Sequence, residues 1–170
     1  MQAIAKFEKV SYEQFEKDWL KSFPDEKDNI HDIYEGITLP HRATKGSAGY
    51  DFVSPKQIVL APGETVLLPT GIRARINDGF VLLLFPRSSL GFKYRMQLNN
   101  TVGVIDSDYY DAANEGHIMA KITNDTNENR TMTIEAHQGF VQGIFLAYGV
   151  VDEDSAEEIR TGGFGSTDKK

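Results

Sequence analysis

QIVLAPGETVLLPTGIRARINDGFVLLLF, from Gln57 to Phe85, reads as four short apolar or β-branched runs, Gln57–Leu60, Thr65–Leu68, Ile72–Ile76 and Phe80–Phe85. APGE, PTG and NDG separate them, and Gly, Pro, Asn and Asp at intervals of roughly ten residues are turn punctuation between strands. The rhythm sets in at Ile37 and returns in His117–Ile122, Thr131–Ile134 and Phe140–Ala147. Many short strands joined by polar turns predict an all-β sandwich, jelly roll or barrel. A parallel sheet would need crossover helices that these short gaps exclude. One helix-sized gap follows Pro86, where SSLGFKYR can form a turn or two.

Upstream of Ile37 the pattern differs. Ala3–Val10 is strand-like, and Ser11 with Gln14 forms a capping-box pair ahead of Phe15, Trp19 and Leu20 at helical spacing, predicting a helix from Tyr12 to about Lys21. Pro24 ends it, and Phe23 to Ile37 reads as a polar, acidic surface connection. The expected organisation is one domain over residues 1–170, with a helix-bearing insertion at 11–36 and a tail at 160–170. That tail has three glycines in five residues and no apolar periodicity, so it should be loose without a ligand and able to close over one.

A hydrophobic fraction of 40% and a charged fraction of 25% are those of a chain that folds. The formal net charge of −7 argues against a long nucleic-acid footprint, yet a few basic groups and backbone N–H dipoles suffice for one small polyanion. With no cysteine, disulfides, thiolate nucleophiles and Cys-based zinc sites are excluded. MQAIAKFEKV lacks the apolar stretch of a signal peptide, and no window approaches the ~20 apolar residues of a membrane span, so a cytoplasmic protein without membrane contact is expected. His31, His41, His117 and His137 are scattered without ligand spacing and are read as surface or hairpin residues. No GxSxG elbow supports a serine nucleophile.

Four stretches carry candidate chemistry. In PRSSLG, Pro86 to Gly91, Arg87 offers a fork matched to phosphate oxygens, with Ser88 and Ser89 at a helix start; taken alone, the motif reads first as an ordinary serine cap beside a surface arginine. In GVIDSDYY, Gly103 to Tyr110, Asp106 and Asp108 share a face if the segment is a strand, and Asp106 after Val104 and Ile105 could serve as a base toward water. An Asp-rich turn is the alternative. AGYDF, Ala48 to Phe52, sets Asp51 between aromatics, either to orient a metal-bound water or to cap a turn. RTGGFGST, Arg160 to Thr167, joins a guanidinium for phosphate, an aromatic to stack on a base and two hydroxyls. It is not a P-loop, since no GK[ST] follows.

These stretches in this order, preceded by LPHRATKGSAGYDF, resemble the five signature motifs of the homotrimeric dUTPase family, over Ile37 to Thr167. The resemblance implies a jelly-roll trimer that hydrolyses dUTP to dUMP and pyrophosphate with Mg²⁺, limiting uracil in DNA and supplying dUMP for dTTP synthesis, at active sites shared between subunits. It implies Asp106 as general base, Tyr109 under the deoxyribose, Asn100 on uracil, and the backbone near Val104, Ile105 and Met119 on the base edge. Arg87, Ser88 and Ser89 would meet the phosphates, Gln142 would match the fourth motif's substrate-binding glutamine, and Asp51 would meet the metal through water. From the tail come Arg160 on the γ-phosphate, Phe164 stacked on uracil, and Gly165, Ser166 and Thr167 around the phosphates. Here the hairpin after Tyr109 is longer than usual, so Tyr109 and Tyr110 both stand as candidates for the sugar contact. Gly139 also replaces the usual fourth-motif arginine, Arg160 stands four residues before Phe164 rather than five, and Asp168 replaces a glycine.

Two other functions fit parts of this pattern. A dCTP deaminase-like enzyme is expected to share the fold but to lack a GFGST tail. A dUTP-responsive module would dock a protein partner through the acidic insertion, on the strength of the charged Asp25 to Asp32 stretch.

Overall fold

The computed structural model describes residues 3–156 and 162. Its strands are β1 (Ala5–Lys9), β2 (Tyr50–Val53), β3 (Ile58–Leu60), β4 (Thr65–Pro69), β5 (Ile72–Ile76), β6 (Phe80–Pro86), β7 (Met96–Leu98), β8 (Gly103–Ile105), β9 (Met119–Asn124), β10 (Met132–Ile134) and β11 (Gly139–Ala147). Helices α1 (Tyr12–Ser22), α2 (Ile30–Glu35) and α3 (Ser88–Tyr94) and a 3₁₀ turn at Ser107–Asp111 complete it. The all-β expectation holds. The strands pair antiparallel in four sheets, β1-β5, β10-β3, β4-β9-β7 and β2-β11-β6-β8, around one core, as a jelly roll arranges them. No closed barrel forms among the described residues.

Alternation explains the strands. In β5 Ile72, Ala74 and Ile76 are buried while Arg73 and Arg75 turn outward, and in β9 Ala120, Ile122 and Asn124 point in. Short β2, β7 and β8 escape the sequence pattern because three or four residues carry too little periodicity.

Helix α1 begins where Ser11 accepts from the Gln14 N–H at 3.2 Å. It buries Phe15 and Trp19 completely, roughly 1.5–3 kcal/mol for each side chain. The predicted surface connection after Pro24 instead contains α2, entered through Asn29 in a left-handed conformation at φ 63° without a side-chain cap, and anchored by buried Ile30. Sequence reading could not see a helix with one buried residue and no cap signal.

Candidate functional site

The four-stranded sheet assembles one half of the site. Gln142 on β11 stands opposite Asp51 on β2 and opposite Phe85 on β6, so Arg87, just past the end of β6, reaches the same corner. Arg87 Nε lies 3.2 Å from Asp51 Oδ1, and the Gln142 amide donates to the Pro86 carbonyl at 3.4 Å. Gly49, Asp51, Arg87, Ser88, Gln142 and Ile144 are among the residues lining a cleft of about 350 Å³ there. Ser88 and Ser89 open α3, exposed, with Arg87 rather than a serine in the capping position and no side-chain cap bond.

Gly139 contributes room. A Cβ there would lie 2.7 Å from Arg87 Nη1, so the guanidinium occupies the space over the glycine on its way to Asp51. Asp51 is half-buried beside one cation, and among the described residues no cluster of three or more His, Asp or Glu could hold a metal.

The other half is the hairpin from β8 to β9. Asp106 does not continue β8, so the expectation that Asp106 and Asp108 share a strand face gives way: Asp106 precedes the 3₁₀ turn at φ −77°, ψ 160°, and Asp108 lies within it. Val104 is exposed and Ile105 buried. β8 is the edge of its sheet, while β9 pairs with β4 from Thr123 to Met119 and with β7 only from Asn124 to Ile122. The two arms of the hairpin therefore belong to different sheets, Val104 and Ile105 in one and Met119 in the other. Asn100 sits exposed in the turn between β7 and β8.

The two tyrosines separate cleanly. Tyr109 is buried, its hydroxyl donating to the His117 carbonyl at 2.9 Å and accepting from Asn114 Nδ2 at 2.8 Å, within the hairpin. Tyr110 turns toward β1 and β5, where it donates to Glu8 and lies beneath Arg73 at 3.8 Å. Gly116 closes the loop at φ 68°, where a Cβ would stand 2.6 Å from the Tyr109 carbonyl oxygen.

These halves lie apart within one chain. β8 runs antiparallel to β6 with Ile105 opposite Leu82, which puts Asp106 beside the start of β6 and Arg87 beyond its far end. Six residues of strand separate them, roughly 20 Å. Arg160, Phe164, Gly165, Ser166 and Thr167 lie outside the described residues.

The family model for dUTPase matches residues 35–168. The chain belongs to the dUTPase family. Among the curated dUTPases it matches, that of Lactococcus lactis is 45% identical over 135 residues, 78% of this chain and 89% of the relative. That of Tolumonas auensis is 40% identical over 137 residues, 76% and 86% of the two chains. A crystal structure of the Streptococcus mutans dUTPase superposes with a TM-score of 0.64 at 37% identity, covering 86% of this chain and 98% of that one. These matches favour neither the deaminase-like nor the binding-module alternative. No helix among the described residues is long and apolar enough to cross a membrane.

Sequence reasoning missed the residues that hold the hairpin from outside the family match. The Ser11 N–H and hydroxyl both donate to Glu115, at 2.7 and 2.6 Å, and buried Asp18 accepts from His117 Nδ1 at 2.8 Å. His117, expected as a hairpin or surface residue, is fully buried in the hairpin. One signal was present: Gln14 and Asp18, four residues apart, run beside Phe15 and Trp19 on the same buried face.

Proposed function

We propose that this chain hydrolyses dUTP to dUMP and pyrophosphate, on the strength of the dUTPase match that spans both the cleft and the Asp106 hairpin. Asp106 accepts a proton from a water whose oxygen attacks the α-phosphorus in line; the bond from that phosphorus to the bridging oxygen breaks, and pyrophosphate departs with its electron pair. Arg87, Ser88, Ser89 and Gln142 bind the phosphates as charge shifts to the leaving group. Arg87 would exchange Asp51 for phosphate oxygens as substrate enters.

The arms β8 and β9, which do not pair with each other, would receive a base whose edge pairs with backbone near Val104, Ile105 and Met119, with Asn100 at the margin. A site built on such pairing leaves polar groups unmatched against cytosine. Tyr109, fixed by His117 and Asn114, is the wall under the sugar; Tyr110 is committed to Glu8 and Arg73. Arg160 on the γ-phosphate, Phe164 on uracil, and Gly165, Ser166 and Thr167 complete the site by their place in the sequence.

With Asp106 and Arg87 at opposite ends of β6, one chain does not bring base and phosphate cradle together, which supports a homotrimer whose sites join the hairpin of one copy to the cleft of another. Among the described residues Asp51 is the one carboxylate lining the cleft, which suits a Mg²⁺ ion carried by the triphosphate and reached through water rather than a protein cage. When bound, the ion would neutralise phosphate charge.

Turnover of dUTP in ¹⁸O-water tests the route. Label in dUMP is expected; label in pyrophosphate, or no pyrophosphate at all, would contradict it.

A further inference from the structure

Helix α1 precedes the residues the family model matches, yet its buried polar groups run to the base of the hairpin. Asp18 Oδ2 accepts from Gln14 Nε2 at 2.6 Å and from His117 Nδ1 at 2.8 Å, and Oδ1 lies 3.3 Å from Lys21 Nζ. On the far side of the ring, His117 Nε2 accepts from the Gly71 N–H at 2.8 Å, so the ring proton sits on Nδ1 and neither nitrogen can turn without losing a buried bond. The His117 carbonyl in turn receives the Tyr109 hydroxyl at 2.9 Å. One residue before Gly116, Glu115 is held at φ 57° while its carboxylate takes two bonds from Ser11. Helix α1 thus grips the loop on both sides of Gly116.

Packing alone does not require such a pair. Buried charged partners add little net stability over apolar residues of the same volume, and fixing one geometry is the best-attested use of such a pair. We propose that Asp18 and His117 are positioning residues through which helix α1 fixes the Tyr109 ring, and with it the preference for deoxyribose over ribose. The inference rests on the assignment of Tyr109 to the sugar. A wall displaced by a fraction of an ångström opens clearance for a 2′-hydroxyl and loosens its contact with the deoxy sugar.

The test is the ratio of kcat/KM for dUTP to that for UTP. In Asp18→Ala and His117→Gln the ratio contracts about tenfold, mainly through a higher KM for dUTP. Asp18→Asn, whose side-chain carbonyl still accepts from Nδ1–H, restores most of it. Should the single variants not fold, the double replacement Asp18→Leu with His117→Leu exchanges the pair for apolar contacts and carries the same expectation. A folded variant lacking the pair but keeping the wild-type ratio overturns the proposal. Tyr109→Ala separates the two levels: if it collapses the ratio while the Asp18 and His117 variants do not, the positioning role fails alone. If Tyr109→Ala leaves the ratio unchanged, the sugar assignment fails and the proposal falls with it.

Discussion

Gly116→Ala should be the most damaging small substitution in the hairpin. At φ 68° an L-residue pays about 1–2 kcal/mol for the left-handed backbone. The new Cβ would also stand 2.6 Å from the Tyr109 carbonyl oxygen and 2.7 Å from Tyr110 Cα, both backbone atoms that no rotamer change can clear. Overpacking of this kind adds roughly 1–3 kcal/mol, for a total of about 2–5 kcal/mol. At about 2–4 °C per kcal/mol for a chain of this size, Tm should fall by roughly 4–20 °C. Gly63→Ala is the control, since Gly63 has φ 82° but nothing within 4 Å of its would-be Cβ, so only the backbone cost applies. Relief at Gly116 must move the 3₁₀ turn that carries Tyr109, so kcat/KM for dUTP should fall about tenfold well below the melt. Differential scanning calorimetry and pyrophosphate release read the two effects. A Gly116→Ala protein melting no lower than Gly63→Ala would refute the reasoning.

Gly49→Ala should do the opposite, sparing stability and harming the cleft: its Cβ would meet Gln142 Oε1 at 2.6 Å, and that flexible amide can swing away. A rise in KM for dUTP of about tenfold is expected with Tm within about 2 °C of wild type, and an unchanged KM would remove Gln142 from the proposed substrate site. Acid sensitivity should track Asp18. Burial pushes its carboxyl up, but hydrogen bonds from His117 and Gln14 outweigh burial and hold it at about 2, against an ordinary 3.8. A depressed folded-state value contributes stability above the ordinary value and loses it as pH falls toward 2, about 1 kcal/mol of it between pH 7 and pH 3. Urea unfolding of Asp18→Asn should therefore show a smaller loss over that interval than wild type; an equal loss would mean Asp18 is not the titrating group.

Much of the fold was legible because Ile72–Ile76 alternates and Phe80–Phe85 is an unbroken apolar run, each bounded by turn residues. MQL and GVI were not, being three-residue strands whose pairing with β9 and β6 is settled by distant chain. The same nonlocality governs the site. GVIDSDYY and PRSSLG carry the proposed chemistry, yet nothing local says that Asp106 and Arg87 fall at opposite ends of β6, because register belongs to the partner strand. Asp18 and His117 are 99 positions apart and meet only because α1 docks beside the hairpin. Tyr109 and Tyr110 are adjacent letters on a 3₁₀ turn, and which faces the hairpin depends on that turn rather than on the strand alternation the letters suggest.

Co-expression of Asp106→Ala and Arg87→Ala chains, with dUTP-dependent pyrophosphate release measured on the mixed assemblies, tests most directly that hydrolysis needs the hairpin of one copy and the cleft of another. Each variant alone should be nearly inactive. In assemblies mixed at random from equal amounts, half the hairpins and half the clefts are intact, so about one quarter of wild-type activity should return. Mixed assemblies no more active than either parent would contradict the shared site.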